Sequence, residues 1–533
     1  MICHKFIRIL CWMAITTILY GATGSAEVPA EVSASETMPL RKHERKVSLS
    51  VENIPLKEVL SRFAALAEME VKLSDEMLAL IDLDRLQNIS IKDFELAYAL
   101  NVVVANQLPD RFGENHPLVQ VKDECIVITT YRADRARIRR KLPDWLQAIY
   151  DDQKVSVSLD DSEEIVAIQF YNNLTDELLS HFSSLTKLRQ LSISGNPAFS
   201  AARLTHLAEL QALEGLELSF HSKDKRCDEI LKNVCKLPKL RTLSLHASGV
   251  TDEGLKQLER NPSLTSLHIY QEGRLTEAAV ISIVKQKQLK SLALVYNVGT
   301  ELGHMKFSAP ATNLLESLTN LEHLNLSGQD VAPELLRFPH LKSLVVSGTE
   351  FDAIMGAILR ESRSLSRLEL TYRRIADDAF ELLSGHPTLS DIRIRSHGMT
   401  DIAISHLFRL PNLKRVELWT KGLTDDSLTS LSKIDSLTEL QLNWGTNRFT
   451  AAGLKSLSSL PKLQTLQLLI IPQSGALGFG LKIPVTPKSG PIRTELPGPQ
   501  FDRPLPVDLS DLSKSLPRTR IDVRHDHFDV GNK

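Results

Sequence analysis

The chain has 533 residues, too many for one compact core, and its 63 basic against 65 acidic residues leave a formal net charge of -2. That balance excludes a surface built to hold nucleic acid or anionic lipid, since each demands a clear basic surplus. Aromatics make up only 5% of residues, so a large core has to come mostly from branched aliphatics, as in stacked repeats.

The N-terminus reads as a secretory signal over residues 1–26. His4, Lys5 and Arg8 form a basic start, an apolar run follows from Ile9 to Tyr20, and Gly24 and Ala26 supply small residues before Glu27. The run falls short of the ~20 residues that span a bilayer, which favours cleavage over a retained anchor. Cys11 follows Arg8, Ile9 and Leu10 and so lacks the small residues of a lipoprotein site. No later segment is apolar enough to cross a membrane. Beyond the signal, Cys125, Cys227 and Cys235 are an odd, sparse set and no disulfide framework. Cys227 and Cys235 read either as a pair across two helical turns or, the preferred reading, as two small buried hydrophobes. Residues 27–45 are polar and predict a flexible leader.

From Lys46 the pattern changes. Val47, Leu49 and Val51 alternate with polar residues, as in a half-buried strand. Pro55 then opens a helix with Leu56, Val59, Leu60, Phe63 and Leu66 on its apolar face. Met69, Val71 and Leu73 alternate again. A second strand–helix unit carries Ile89 and Ile91, then Leu96, Leu100 and Val103. Val119 and Val121 face Ile126 and Ile128 across a polar turn, which predicts a hairpin. The stretch Val51-Glu52-Asn53-Ile54-Pro55-Leu56 matches Ile91-Lys92-Asp93-Phe94-Glu95-Leu96 in residue type. This βαβ-type duplication over 46–131 resembles the short N-terminal domain of secretins and TonB-dependent receptors. The resemblance implies a small α+β domain that makes protein contacts in the periplasm or cell envelope of a Gram-negative-type bacterium. The β-barrel of those proteins has no counterpart here, so secretion or uptake is not implied.

Residues 132–154 are a basic connector with Arg132, Arg135, Arg137, Arg139, Arg140 and Lys141. It reads as a partner-docking helix or, the preferred alternative, as a solvated linker whose Trp145 caps the open end of the next domain.

Over 155–471 the pattern leucine-x-x-leucine-x-leucine recurs. Its first leucines are Leu188, Leu213, Leu240, Leu264, Leu289, Leu321, Leu341, Leu365, Leu389, Leu413, Leu437 and Leu463, after a divergent copy at Ile165, Ile168 and Phe170. The commonest spacing lies inside the ~20–29 residues of leucine-rich repeats. Each second half is regular too: Leu174-Thr175-Asp176, Val250-Thr251-Asp252, Met399-Thr400-Asp401 and Leu423-Thr424-Asp425 share one form, relaxed at Ile375-Ala376-Asp377 and Phe449-Thr450-Ala451. Threonine accepts from the first free helix amides, and the acid favours the positive helix end. Each unit is therefore a strand, a turn and a short helix. The chain resembles bacterial exported leucine-rich-repeat proteins of the threonine–aspartate helix-start type. The resemblance implies an α/β leucine-rich-repeat solenoid, with a parallel β-sheet on the concave side and helices on the convex side. A continuous asparagine ladder, common in the family, is missing. Asn196 and Asn297 fit it, but His221, Ser248, Glu272, Gln329, Thr349, Arg373, His397 and Lys421 stand elsewhere.

The rhythm breaks twice. Leu289 to Leu321 is long, with a loop expected from Asn297 to Pro310; Leu321 to Leu341 is short, and Val331-Ala332-Pro333 leaves little room for a helix. Residues 472–506 are dense in proline and glycine and predict an extended, poorly ordered excursion. In 507–533, Leu509, Leu512 and Leu516 lead to Arg520-Ile521-Asp522-Val523, a last helix and closing strand that cap the stack.

No phosphate-binding loop, paired-histidine zinc helix, nucleophile elbow or paired-cysteine metal spacing is present. No catalytic residue, cofactor or metal site is therefore expected. His525-Asp526-His527 lacks a fixed fourth ligand and reads as a solvated tail. The residues between the strand leucines point off the sheet. Early copies are bland, with Gln190, Ser192, Ser194, then Gly215, Glu217, Ser219, then Thr242, Ser244, His246, and next Ser266, His268, Tyr270. Later ones are richer in the types that anchor interfaces, and Arg393, Arg395, Arg415 and Trp419 form a candidate partner-binding patch. The alternative is a salt-bridge lattice, Glu369 with Arg393 and Glu417 with Arg395 or Arg415. The expected protein is a non-catalytic binder of a protein or polysaccharide partner, or else an envelope signalling or assembly factor that works through its N-terminal domain.

Overall fold

A computed structural model describes residues 46–108, 115–122, 125–171, 174–195, 199–220, 226–246, 250–271, 275–296, 305–306, 314–330, 338–443, 448–470, 515–516 and 519–525. The signal, the leader, the 472–506 excursion, most of the Asn297–Pro310 loop and the Val331-Ala332-Pro333 step lie outside the described residues, as do Asn196, His221, Ser248 and Glu272. The chain divides into two compact units, Met1–Ile168 and Gln169–Lys533.

In the first unit, β1 (Lys46–Pro55) pairs antiparallel with β3 (Leu86–Glu95). A second sheet joins β2 (Glu70–Leu73), β5 (Cys125–Thr130) and β4 (Pro117–Lys122), with β2 parallel and β4 antiparallel to β5. The hairpin has the register the alternation predicts, Val119 opposite Ile128 and Val121 opposite Ile126. Helices Leu56–Ala67 and Leu96–Ala105 close one core with Met77, Ile126 and Ile128. Leu66 departs from expectation. The buried stripe runs Leu56, Leu60, Phe63, Ala67, in steps of four and three, which leaves Leu66 at its margin and 44% exposed.

The connector forms two helices, Tyr131–Lys141 and Asp144–Asp151. Three of its basic side chains meet acids nearby. Arg137 reaches Asp134 at 3.0 Å and Glu163 at 3.4 Å, Arg139 reaches Asp151 at 2.7 Å, and Lys141 also pairs with Glu163. Arg135 donates to the Tyr150 carbonyl and lies over its ring. Exposed pairs of this kind add little stability, but they offset part of the charge that a basic docking stripe needs.

The repeats build one mostly parallel sheet. Beyond β6 (Val155–Leu159) and β7 (Ile165–Tyr171) come β8 (Gln190–Gly195), β9 (Gly215–Phe220), β10 (Thr242–His246), β11 (Ser266–Gln271), β12 (Ser291–Tyr296) and β14 (His323–Asp330). Then follow β15 (Ser343–Phe351), β16 (Arg367–Ile375), β17 (Asp391–Gly398), β18 (Arg415–Thr420), β19 (Glu439–Asn443), β20 (Thr465–Ile470) and β21 (Arg520–His525). All the first leucines named above are buried. The register stacks like on like: Leu191, Leu216, Leu243, Leu267, Leu292, Leu324, Leu344, Leu368, Ile392, Val416, Leu440, Leu466 and Ile521 stand in one row. A single repeat cannot bury these side chains, so the row is both the core and the reason the units stack. The closing strand expected at Arg520–Val523 extends this register beside β20. Cys227 and Cys235 are buried thiols, and burial pushes the Cys235 thiol up to about 12, as for small core hydrophobes.

The spacing irregularity has a counterpart in the sheet. β13 (Met305–Lys306) pairs with the end of β14, and the register between β14 and β15 shifts between Leu326 and Asp330. Just beyond it, Gly356 in the helix Ala353–Glu361 lies so close to the next helix that an added Cβ would stand 2.2 Å from the Ala379 carbonyl oxygen.

The threonines cap as predicted. Thr251, Thr400, Thr424 and Thr450 each accept from an amide of their own helix. Aspartates in the first turn of several of these helices have a further role, which is to bond the next repeat. Asp228 accepts from Thr251 N at 3.0 Å and Oγ1 at 2.7 Å; Asp252 accepts from Thr276 N at 2.9 Å and from its Oγ1. Asp377 accepts from Thr400, Asp401 from Thr424 and Ser427, and Asp425 from Thr450. Small residues three positions after the threonine leave room for the acid. A Cβ on Gly254 would sit 1.9 Å from Asp228 Oδ1, and one on Gly453 2.0 Å from Asp425 Oδ1. This aspartate–threonine ladder joins successive repeats where the family's asparagine ladder is missing.

Candidate functional site

Side chains that alternate with the buried leucines project from the opposite face of the sheet, in three rows across the strands. Register therefore decides which polar residues meet. Arg393 stands between Glu369 and Glu417, Arg415 between Asp391 and Glu439, and Arg395 beside Trp419. All four candidate residues lie on neighbouring strands β17 and β18, but their environments differ.

Arg393 is the centre of a lattice, with a side chain only 14% exposed, 3.3 Å from Asp391 and 3.6 Å from Glu417. Burial works against its charge, but Asp391, then Glu417 and Glu369, outweigh burial and hold the guanidinium above its ordinary value. Arg415 pairs with Glu439. Arg395 lies over the Trp419 ring, 5.4 Å from its centroid, and Trp419 Nε1 donates to Glu417 Oε1 at 2.7 Å. The expected lattice exists in part: Glu369 stands beside Arg393 and helps hold its charge, whereas the partners of Glu417 differ. Glu417 takes Arg393 and Trp419 rather than Arg395 or Arg415, and Glu369 meets Arg367 at 3.4 Å. The reason is register, since the row that holds Arg395 carries Thr371 and Trp419 as its neighbours and no carboxylate.

A second cluster, on strands whose outward residues look bland in sequence, occupies β9 to β12. Glu217 Oε1 lies 3.3 Å from His246 Nε2, and the His246 ring stacks on Tyr270 at 4.4 Å with 4° between planes. His268 is held by hydroxyls, at 3.0 Å from Ser291 Oγ, 3.2 Å from Ser266 Oγ and 3.5 Å from Ser244 Oγ. Burial pushes the Glu217 carboxyl up, against a hydrogen bond from Ser192, and pushes His246 down. His268 falls to about 4, first through burial and then through His246 and His323. Burial also raises Tyr270, with Glu217 adding to the effect. Nothing in a single repeat marks this cluster; its only sequence signal is that histidine, tyrosine and glutamate replace serine at outward positions of successive copies.

A pH dependence follows. His268 binds its proton near 6.5 when unfolded and near 4 when folded. Its neutral form thus contributes stability that is complete above about pH 6.5 and is lost as pH falls towards 4, with a limit on the order of 2–3 kcal/mol. Glu217, shifted up, acts in the opposite sense, because its penalty relaxes as it is protonated. Urea unfolding at pH 7.5, 6 and 4.5 should show His268→Gln losing less stability on acidification than the parent. Parallel curves for the two proteins would refute the assignment.

Among the described residues no group of three or more His, Cys, Asp or Glu is placed to hold a metal ion, and no helix is long and apolar enough to cross a membrane. His525 ends β21, and Asp526 and His527 of the His-Asp-His stretch lie outside the described residues.

The leucine register, the parallel strands and the helix in most repeats define the second unit as a leucine-rich-repeat solenoid. No protein-family model and no curated protein sequence matches the chain. Similar solved structures are themselves leucine-rich-repeat proteins. The complex of PEPR1 with AtPEP1 is 18% identical with a TM-score of 0.34, over 59% of this chain and 44% of that one, so the chain spans less than half its length. An internalin, InlF of Listeria monocytogenes, is 18% identical with a TM-score of 0.32, over 62% of this chain and 90% of that one. The yeast Rad7–Elc1 complex is 17% identical with a TM-score of 0.40, over 66% and 92%.

Proposed function

We propose that the chain is a non-catalytic, exported interaction protein of the periplasm or cell envelope that binds a protein partner through the open sheet face around β17 and β18. Arg395 stacked on Trp419 carries this reading. In a row without carboxylates, a guanidinium and an indole are presented together, the residue types that dominate binding energy when a partner covers them. Arg393 and Arg415 hold the surrounding lattice, whose charges cancel pairwise and set register rather than net attraction. Export rests on the basic and apolar N-terminal stretch.

Arg395→Ala combined with Trp419→Ala is expected to weaken capture of envelope proteins by the purified chain by at least about tenfold, as befits a central hot spot. Capture of every partner at the parental level would reject the site.

A second reading, envelope signalling or assembly through the N-terminal domain, is favoured by that unit having its own core while leaving Leu66, Leu78, Leu80 and Leu86 exposed. If the double variant retained its partners, this reading would gain.

A further inference from the structure

The outward residues of β8 to β12 differ in kind from those around Arg395. They are hydroxyls, imidazoles, small side chains and the amide of Gln190, with no lysine or arginine and with Glu217 as the acid. An anionic partner finds no fixed cation there, and a cationic one finds a carboxyl that burial drives towards its neutral form. The strip is nevertheless built. Glu217 Oε1 lies 3.3 Å from His246 Nε2, His246 is stacked face to face on Tyr270, and His268 is fixed by serines from two neighbouring strands and its own. Polar groups already held in place lose little freedom when a ligand arrives, which makes such a row more useful for binding than mobile surface side chains. Along the row Tyr270 is followed by Val295, and His268 by Ala293, so the planar groups stand next to much smaller neighbours.

We propose that the open face of β9 to β12 binds a neutral glycan, with the His246–Tyr270 stack as the platform for a sugar ring and Glu217, Ser244, His268 and Ser291 as partners for its hydroxyls. The fit is one of complementary chemistry. A pyranose offers a C–H face that packs on an aromatic ring and a rim of hydroxyls that both donate and accept. The strip offers stacked planar rings beside hydroxyls and neutral imidazoles, which do both as well, and a carboxyl that accepts. The glycan carries no charge, so it loses no ion solvation on contact. His246 keeps 34% of its side chain exposed and Glu217 19%, enough to meet a ligand that lies along the sheet. This site is separate from the proposed protein-binding patch on β17 and β18.

The test is affinity electrophoresis of the full chain through native gels cast with laminarin, dextran or mannan, and with alginate as an acidic polymer. Retardation is expected in at least one neutral gel. The apparent Kd should rise about fivefold to tenfold in Tyr270→Ala and in His246→Ala, and stay within about twofold in Tyr270→Phe, which keeps the ring. Val295→Arg should also abolish retardation, because it places a charged chain beside the platform while leaving every bond of the cluster in place; it serves if either alanine variant fails to fold. The Arg395→Ala, Trp419→Ala protein should be retarded like the parent, so that failure of the protein-binding reading and failure of this one are told apart. No retardation in any neutral gel, retardation in alginate alone, or equal retardation of the parent, Tyr270→Ala and Val295→Arg would overturn the proposal.

Discussion

Phe380→Ala is expected to destabilise the repeat unit by about 3–5 kcal/mol, the range for removing a large aromatic from a packed core. Phe380 lies in the helix Asp377–Leu383 with 1% of its surface exposed, and its ring meets Phe351 at 6.2 Å. Phe351, fully buried at the end of β15, makes an edge contact with Tyr372 of β16 at 5.4 Å. Three rings thus tie two strands and a helix together just past the register shift between Leu326 and Asp330. A solenoid repeat is supported only by its neighbours, so a cavity here also weakens coupling across the shift. The change is to be read from urea unfolding followed by circular dichroism. The midpoint should fall, and a broadened or two-step transition would show repeats on either side uncoupling. A loss below about 1 kcal/mol would mean that the rings do not form a closed core.

Asp401→Ala is expected to cost about 2–4 kcal/mol, although the residue touches no part of the leucine row. Its carboxylate accepts from Thr424 N at 3.0 Å, from Thr424 Oγ1 at 2.8 Å and from Ser427 Oγ. Alanine leaves those donors at the start of the next helix without their acceptor, and no other repeat can replace it. A double-mutant cycle with Thr424→Val separates this role from simple capping. A ladder gives a coupling energy above about 1 kcal/mol, whereas strictly additive effects would show that Asp401 serves only its own helix. Both variants leave Arg395, Trp419 and the β9 to β12 strip intact, so partner capture measured alongside checks that stability and binding are separate properties.

Much of the architecture was legible without coordinates. Leucines two dozen positions apart, threonine before the helix, and Ile521 and Val523 at the end all occupy the strand and cap positions their spacing implies. These are local properties. Whether a side chain points inward depends on the period of its own strand or helix, and a cap depends on residues two or three places away. Where local period was ambiguous the reading slipped, as at Leu66, which lies at the margin of its helix stripe while Ala67 takes the inward place.

The candidate site was legible in composition but not in partnership. Arginine, glutamate and tryptophan were visible on the outward positions of β16 to β19, and Glu369 stands beside Arg393 as expected, yet Glu417 pairs one step away from its expected partners. Arg393 took Glu417, and Arg395 took Trp419. The Glu217, His246 and Tyr270 cluster gave still less notice, because each residue comes from a different repeat.

Sequence alone determined which strand leucines of the repeats would be buried, that the units would stack in parallel, and that a strand would close the row, since each follows from aliphatic periodicity along the chain. Tertiary structure decided which polar groups meet: the aspartate of one repeat with the threonine of the next, the arginine that is neutralised and the one that is stacked, the histidine that lies on a tyrosine. Those contacts join residues about 24 positions apart that stacking brings to within roughly 5 Å, and a shift of two residues along one strand would exchange every partner while leaving the composition of the face unchanged.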